Sequence, residues 1–222
     1  MEGVTVRDGF LFILAGCGLD KKDRFDPRCH VLARAALHGT SLLDFRVVRV
    51  MPWLDEAARI LDLKRIKVRS LDGEKIKTLK NLKLEGLAFT PQGEFLIGMR
   101  QRFVDGESAI LHVTDVQESF ESQDSELAHV TSVDRISLKG AGVSSIKFDP
   151  PLNQYLMLWI YPGKLRTDLW LWEGPVVEPR RAYKLRDHKA EGVCRWRDRI
   201  LILCDDEDPD GTKMGRYGFL QP

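Results

Sequence analysis

Glutamate followed by glycine opens three apolar stretches of the chain, at Glu2-Gly3, Glu85-Gly86 and Glu191-Gly192. If the fold gathers these carboxylates, they repel one another until something positive compensates. Two kinds of compensation are open. A calcium ion takes about six to eight oxygen ligands and suits a carboxylate-lined opening. Arg100, with Arg102 beside it, offers a purely structural ion pair instead. A second constellation is Asp206-x-Asp208-x-Asp210-Gly211, preceded by Asp205. Alternate aspartates followed by glycine resemble the start of a calcium loop. The distal glutamate of a full loop is missing, since Tyr217 stands there. The competing reading is a solvated acidic loop.

Catalytic motifs are absent. The five histidines, His30, His38, His112, His129 and His188, are scattered. There is no Gly-x-Ser-x-Gly elbow and no phosphate-cradling glycine loop. Hydrolysis by a metal-activated water needs no motif. The alternative to a binding role is therefore a calcium-dependent hydrolase of phosphoesters or lactones.

The elements that must position these residues form a repeat. Leu84 to Phe89, a turn at Pro91-Gln92-Gly93, and Phe95 to Arg100 read as two strands and a tight turn. The same pattern runs from Glu2 to Leu14, from Ala141 to Trp159 and from Glu191 to Cys204. Further strand-like segments follow each pair. The second strand of each unit, such as Phe10-Leu11-Phe12-Ile13-Leu14, is apolar throughout rather than alternating. A strand of that kind is covered on both faces. Repeated units of this size built on such strands predict an all-β fold, a β-propeller, with four blades of four strands, the last incomplete. The expected blades are 2–51, 84–139, 140–188 and 189–222. Pro52 to Lys64 breaks the β pattern and reads as an amphipathic helix lying on the outside. With the basic hairpin after it, the helix forms an insertion over 52–83.

Within a blade, the start of the first strand and the end of the second lie at one mouth. Glu2, Glu85 and Glu191 are therefore expected to share a face with Arg100, Arg102, Tyr161 and Asp205 to Asp210. Ala141 replaces the glutamate in the third unit, so any site is asymmetric. No outer strand follows Leu220, and no N-terminal strand is available to close a ring. An open arc exposes apolar faces. The expectation is part of a larger propeller, or self-association through open blade edges.

Composition narrows the partners. A net charge of +1 over 222 residues gives no general attraction to nucleic acid. No apolar run approaches the roughly 20 residues of a spanning helix. The N-terminus lacks a secretory leader, so the default compartment is cytoplasmic. The partners expected are an unknown small molecule or protein. The cysteines, Cys17, Cys29, Cys194 and Cys204, lack a Cys-x-x-Cys spacing and read as buried thiols.

Taken together, Leu84-Glu85-Gly86-Leu87-Ala88-Phe89, Leu96-Ile97-Gly98-Met99-Arg100, Asp105-Gly106-Glu107-Ser108-Ala109, Leu169-Trp170-Leu171-Trp172 and Leu203-Cys204-Asp205-Asp206 give the chain a likeness. It resembles an uncharacterised, mainly bacterial propeller family, the domain of unknown function three-six-one-six. The resemblance implies a propeller whose early blades lie outside this chain, and it implies no activity. A looser similarity joins the Glu-Gly strands to phytase-like and lactonase-like propellers, some of which hold calcium in the channel. That likeness is one of fold only.

Overall fold

The structure, a computed structural model, describes residues 3–15, 24–71, 73–79, 83–100, 107–137, 140–161, 163, 166–207 and 213–221. Four antiparallel sheets stand around one axis as the blades of a β-propeller. The first holds β1 (Gly3–Arg7), β2 (Phe10–Leu14), β3 (Val31–His38) and β4 (Ser41–Arg49). Helix α1 (Met51–Ile60) and the hairpin β5 (Arg65–Arg69) and β6 (Lys75–Leu79) follow. The second blade holds β7 (Leu84–Phe89), β8 (Phe95–Met99), β9 (Glu107–Thr114) and, after helix α2 (Val116–Ser122), β10 (His129–Ser137). The third holds β11 (Gly142–Asp149), β12 (Gln154–Ile160), β13 (Arg166–Trp172) and β14 (Arg180–Arg186). The fourth has three strands, β15 (Ala190–Trp196), β16 (Arg199–Glu207) and β17 (Lys213–Leu220).

Consecutive blades meet through their first strands: β1 on β7, β7 on β11, and β11 on β15. The apolar second strands serve two cores at once, because successive side chains of a strand point to opposite faces. On β8, Phe95, Ile97 and Met99 enter the core shared with the first blade, whereas Leu96 enters the core shared with the third. On β12, Tyr155, Met157 and Trp159 face the second blade, and Leu156 and Leu158 face the fourth. Trp159 also stacks on Trp170 with ring centroids 3.9 Å apart, so these indoles are packing residues.

Helix α1 stands against β10, the outer edge of the second blade. Its inner face is core rather than surface, since Trp53, Leu54, Ala57 and Ala58 are buried. The Trp53 Nε1–H donates to Ser125 O at 3.1 Å, and the Glu56 carboxylate accepts from the Val130 N–H at 2.8 Å. The helix thus covers an edge that would otherwise present unpaired backbone groups. Helix α2 lies in an acidic stretch that carries Glu118, Glu121, Asp124 and Glu126. Val116, Ser119 and Phe120, at helical spacing, bury one side of it.

The outward faces of the first and last blades are apolar. On the first sheet, Val4, Ile13, Ala33 and Val47 form one cross-strand row pointing away from the second blade. On the last, Leu203 pairs with Tyr217 and Leu201 with Phe219. With Val47 at 53% and Tyr217 at 73% exposure, both faces are uncovered among the described residues. Among the described residues, no packing like that between consecutive blades joins the last sheet to the first. No helix among the described residues is long and apolar enough to cross a membrane. Contrary to the buried-thiol expectation, Cys29 is exposed and Cys194 and Cys204 are half-buried. Cys29 ends a surface turn beside Asp26 and Arg28, which keeps it out of any core.

Candidate functional site

Glu85 and Glu191 occupy equivalent irregularities. On β7, Leu84 pairs with Met99 and Gly86 with Gly98, leaving Glu85 as the extra residue of a β-bulge. On β15, Ala190 pairs with Cys204 and Gly192 with Leu203, leaving Glu191 in the same position. A bulge re-aims the side chain of its unpaired residue and is common beside functional sites. Both carboxylates are thereby directed to the mouth at the start of the first strands.

There they meet cations from the adjoining segments. Arg100, directly after β8, donates through Nη1 to Glu85 Oε1 and stands 3.7 Å from Glu191 Oε1. Lys83, two residues before Glu85, pairs with the same Glu85 oxygen. Lys189, two residues before Glu191, lies 2.7 Å from Glu191 Oε1 and 3.1 Å from Asp205 Oδ2. Among the described residues, three carboxylates and three cations from two blades thus balance at the mouth. The third blade contributes backbone: a β-carbon on Gly142 would stand 1.5 Å from the Arg100 carbonyl oxygen. Glycine is required there by close approach.

Glu85 is 3% exposed. Its burial pushes the carboxyl above the usual range, against the opposing pull of Arg100 and Lys83. Lys189 is held above its ordinary value: burial works against the charge, but Glu191 and Asp205 outweigh it. Arg100 remains partly unspent. Its Nε and Nη2 have no partner among the described residues, and its side chain is 19% exposed.

Of the residues expected at this mouth, Glu85, Arg100, Glu191 and Asp205 come together. Tyr161 is engaged elsewhere, donating to Asp168 Oδ2 at 3.1 Å beneath the Arg166 guanidinium. Glu2, Arg102, Asp208 and Asp210 lie outside the described residues, and Asp206 is placed only as a β16 position paired with Met214. Among the described residues, no group of three or more His, Cys, Asp or Glu side chains is arranged to hold a metal. Lys83 and Lys189 were missed, although Lys-x-Glu-Gly occurs at both glutamates.

A second charged cluster lies between the second and third blades. His112 Nε2 is 2.7 Å from Asp134 Oδ2, and Nδ1 is 3.6 Å from Glu94 Oε2. Burial opposes the imidazolium, but both carboxylates favour it more, so His112 stands above its ordinary pKa. Tyr155, pushed up to about 12 by burial and then by the same carboxylates, stays neutral. A raised pKa contributes stability that is fully present below the unfolded value, about 6.5. That stability is lost as pH rises through the folded value. His112→Gln is therefore expected to lower stability by about 1–2 kcal/mol at acid pH and by less in alkali. Melting both proteins at pH 5.5 and pH 9, values that bracket the unfolded pKa of about 6.5, checks this. An equal gap at both would contradict it.

No family model matches the chain. No curated protein matches it. Among solved structures it is similar to a protein of unknown function from Bacteroides caccae, with 10% identity and a TM-score of 0.38. The match covers 96% of this chain and 62% of that one.

Proposed function

We propose that this chain is a ligand-binding propeller module. Its recognition surface is the mouth around Arg100, and its ligand carries an anionic oxygen group, a carboxylate or phosphate. The observation that carries this reading is the unspent part of the Arg100 guanidinium. Nη1 is committed to Glu85, while Nε and Nη2 stand at the mouth without a protein acceptor among the described residues. A guanidinium fork suits planar, two-pronged binding of such oxygens. Lys189 and Lys83 flank it, each already paired with a carboxylate, which leaves the Arg100 fork as the donor offered to a ligand.

The energetics of the network favour the same reading. The raised pKa of Glu85 means that its cations do not fully offset the burial of its charge. Apolar residues of similar volume often serve stability as well as a buried ion pair does, or better. A charged cluster at a propeller axis is thus better accounted for by recognition than by stability.

Arg100→Lys separates the two roles. It keeps a cation beside Glu85 and removes the planar fork. The variant is expected to melt within about 1 kcal/mol of the parent. Calorimetric titration with inorganic phosphate and with succinate is expected to show at least about tenfold weaker binding, a loss of about 1.4 kcal/mol. Unchanged affinity for both probes would sink the reading.

A further inference from the structure

At the opposite end of the blades from the mouth, a groove opens between the first and second sheets. It encloses about 630 Å³, within the range of pockets that hold small ligands. Phe10, Phe12, Phe89 and Phe95 line its floor. They come from the two hairpins that turn at this end, β1–β2 and β7–β8. Their rings pack edge to face: Phe12 lies 5.1 Å from both Phe89 and Phe95.

These rings already receive cations from the protein itself. The Arg7 guanidinium stands 5.1 Å over Phe89. Arg34 stands 4.5 Å over Phe10 and 5.2 Å over Phe120, behind the groove wall. It is 3% exposed, and its Nε and Nη1 lack hydrogen bonds, so the ring faces carry much of its contact. The negative face of an aromatic ring attracts a cation by about 0.5–2 kcal/mol, more when water is excluded.

The charge around the groove has the complementary sign. Arg7 is neutralised by Asp8 at 3.2 Å and donates its Nη1 proton to Thr90 O at 3.0 Å. Asp115, Glu118 and Glu121 line the far side. Among the described residues, Asp115 accepts only from the neutral Thr114 hydroxyl and Glu121 only from the neutral Gln117 amide. Glu121 also lies within electrostatic reach of Arg34, so it is partly compensated. Asp115 and Glu118 form no ion pair with a cation among the described residues.

We propose that this groove binds a small organic cation: an aryl- or alkylammonium whose apolar body lies on the phenylalanine floor and whose charged head faces Asp115 and Glu118. This is a second site, independent of the one at the mouth.

The test uses phenethylammonium as probe and phenylpropionate, of similar size and opposite charge, as control. Titration is followed by calorimetry at low salt. Saturable binding of the ammonium with a Kd below about 10 mM is expected, with no measurable binding of the anion. The Asp115→Asn/Glu118→Gln variant changes charge but little shape at two exposed positions, so it is expected to fold. It should bind phenethylammonium at least about tenfold more weakly. Arg100→Lys, at the far end of the blades, should bind it as the parent does. Equal binding of the two probes would overturn the proposal, as would an unchanged affinity in the double variant. A response confined to a lysine-rich peptide, with none to phenethylammonium, would also overturn it.

Discussion

Gly142→Ala is expected to destabilise the protein by at least about 3 kcal/mol, well above the usual effect of adding one methyl group. The new β-carbon would lie 1.5 Å from the carbonyl oxygen of Arg100 and 2.3 Å from its carbonyl carbon. Those atoms belong to backbone, so no side-chain rotation relieves the overlap. The Arg100 N–H is also tied to the Lys83 carbonyl at 2.8 Å, which resists displacement of this segment. In a chain of this length the melting temperature should fall by about 6–12 °C. Gly215→Ala makes the same chemical change on β17, where nothing lies within 4 Å. That variant should stay within about 0.5 kcal/mol of the parent. Equal melting of the two variants would mean that the second and third blades do not meet as described.

Arg100→Met is expected to be nearly as severe, at about 3 kcal/mol, for an electrostatic reason. Removing one partner of a buried pair strands the other charge. Glu85, 3% exposed, would keep Lys83 as its one cation among the described residues. Replacing both members, as Glu85→Leu/Arg100→Met, removes the stranded charge and should restore most of the loss. The acid limb gives a further check. In the single variant the folded pKa of Glu85 would rise beyond its already raised value. The penalty should therefore shrink as pH falls toward the unfolded carboxyl value, about 4.3, where Glu85 folds protonated. Urea titrations of the single and double variants at neutral and acid pH measure both effects. A single variant as stable as the parent at neutral pH would remove Glu85 and Arg100 from a common network.

The propeller was legible because its strongest physical demand falls on single strands. A strand covered on both faces must be apolar at consecutive positions, and Phe95 to Met99 and Tyr155 to Trp159 are so in the sequence itself. The pairing of Glu85 with Arg100 was open to inference from the same hairpin, because the start of one strand and the end of the next share a mouth. Lys83 and Lys189 were less legible because each stands just before its strand, outside the apolar pattern that marks the repeat. Residues two apart along a strand share a face, so Lys-x-Glu-Gly carried the signal.

The bulges were harder to foresee. Their signature lies in the pairing of Leu84 and Gly86 with the neighbouring strand, not in the residues themselves. Helix α2 was hidden by its length, since Val116 and Phe120 make too short an apolar stripe to stand out among the surrounding acids. The groove was beyond reach for a different reason. Phe12 and Phe89 are neighbours only because two separate hairpins pack side by side.

Recognition at the mouth rests on the Arg100 donors that have no acceptor among the described residues, and arginine side-chain resonances report on them directly. In ¹⁵N-labelled protein the Arg100 Nε–H signal can be assigned by its disappearance in Arg100→Lys. Titration of the parent with inorganic phosphate, and separately with succinate, is predicted to shift that signal saturably with at least one probe, while the Arg195 Nε–H, already bonded to Asp149 at 3.0 Å, stays in place. An Arg100 signal that never moves, or that moves only in step with Arg195, would contradict recognition at the mouth.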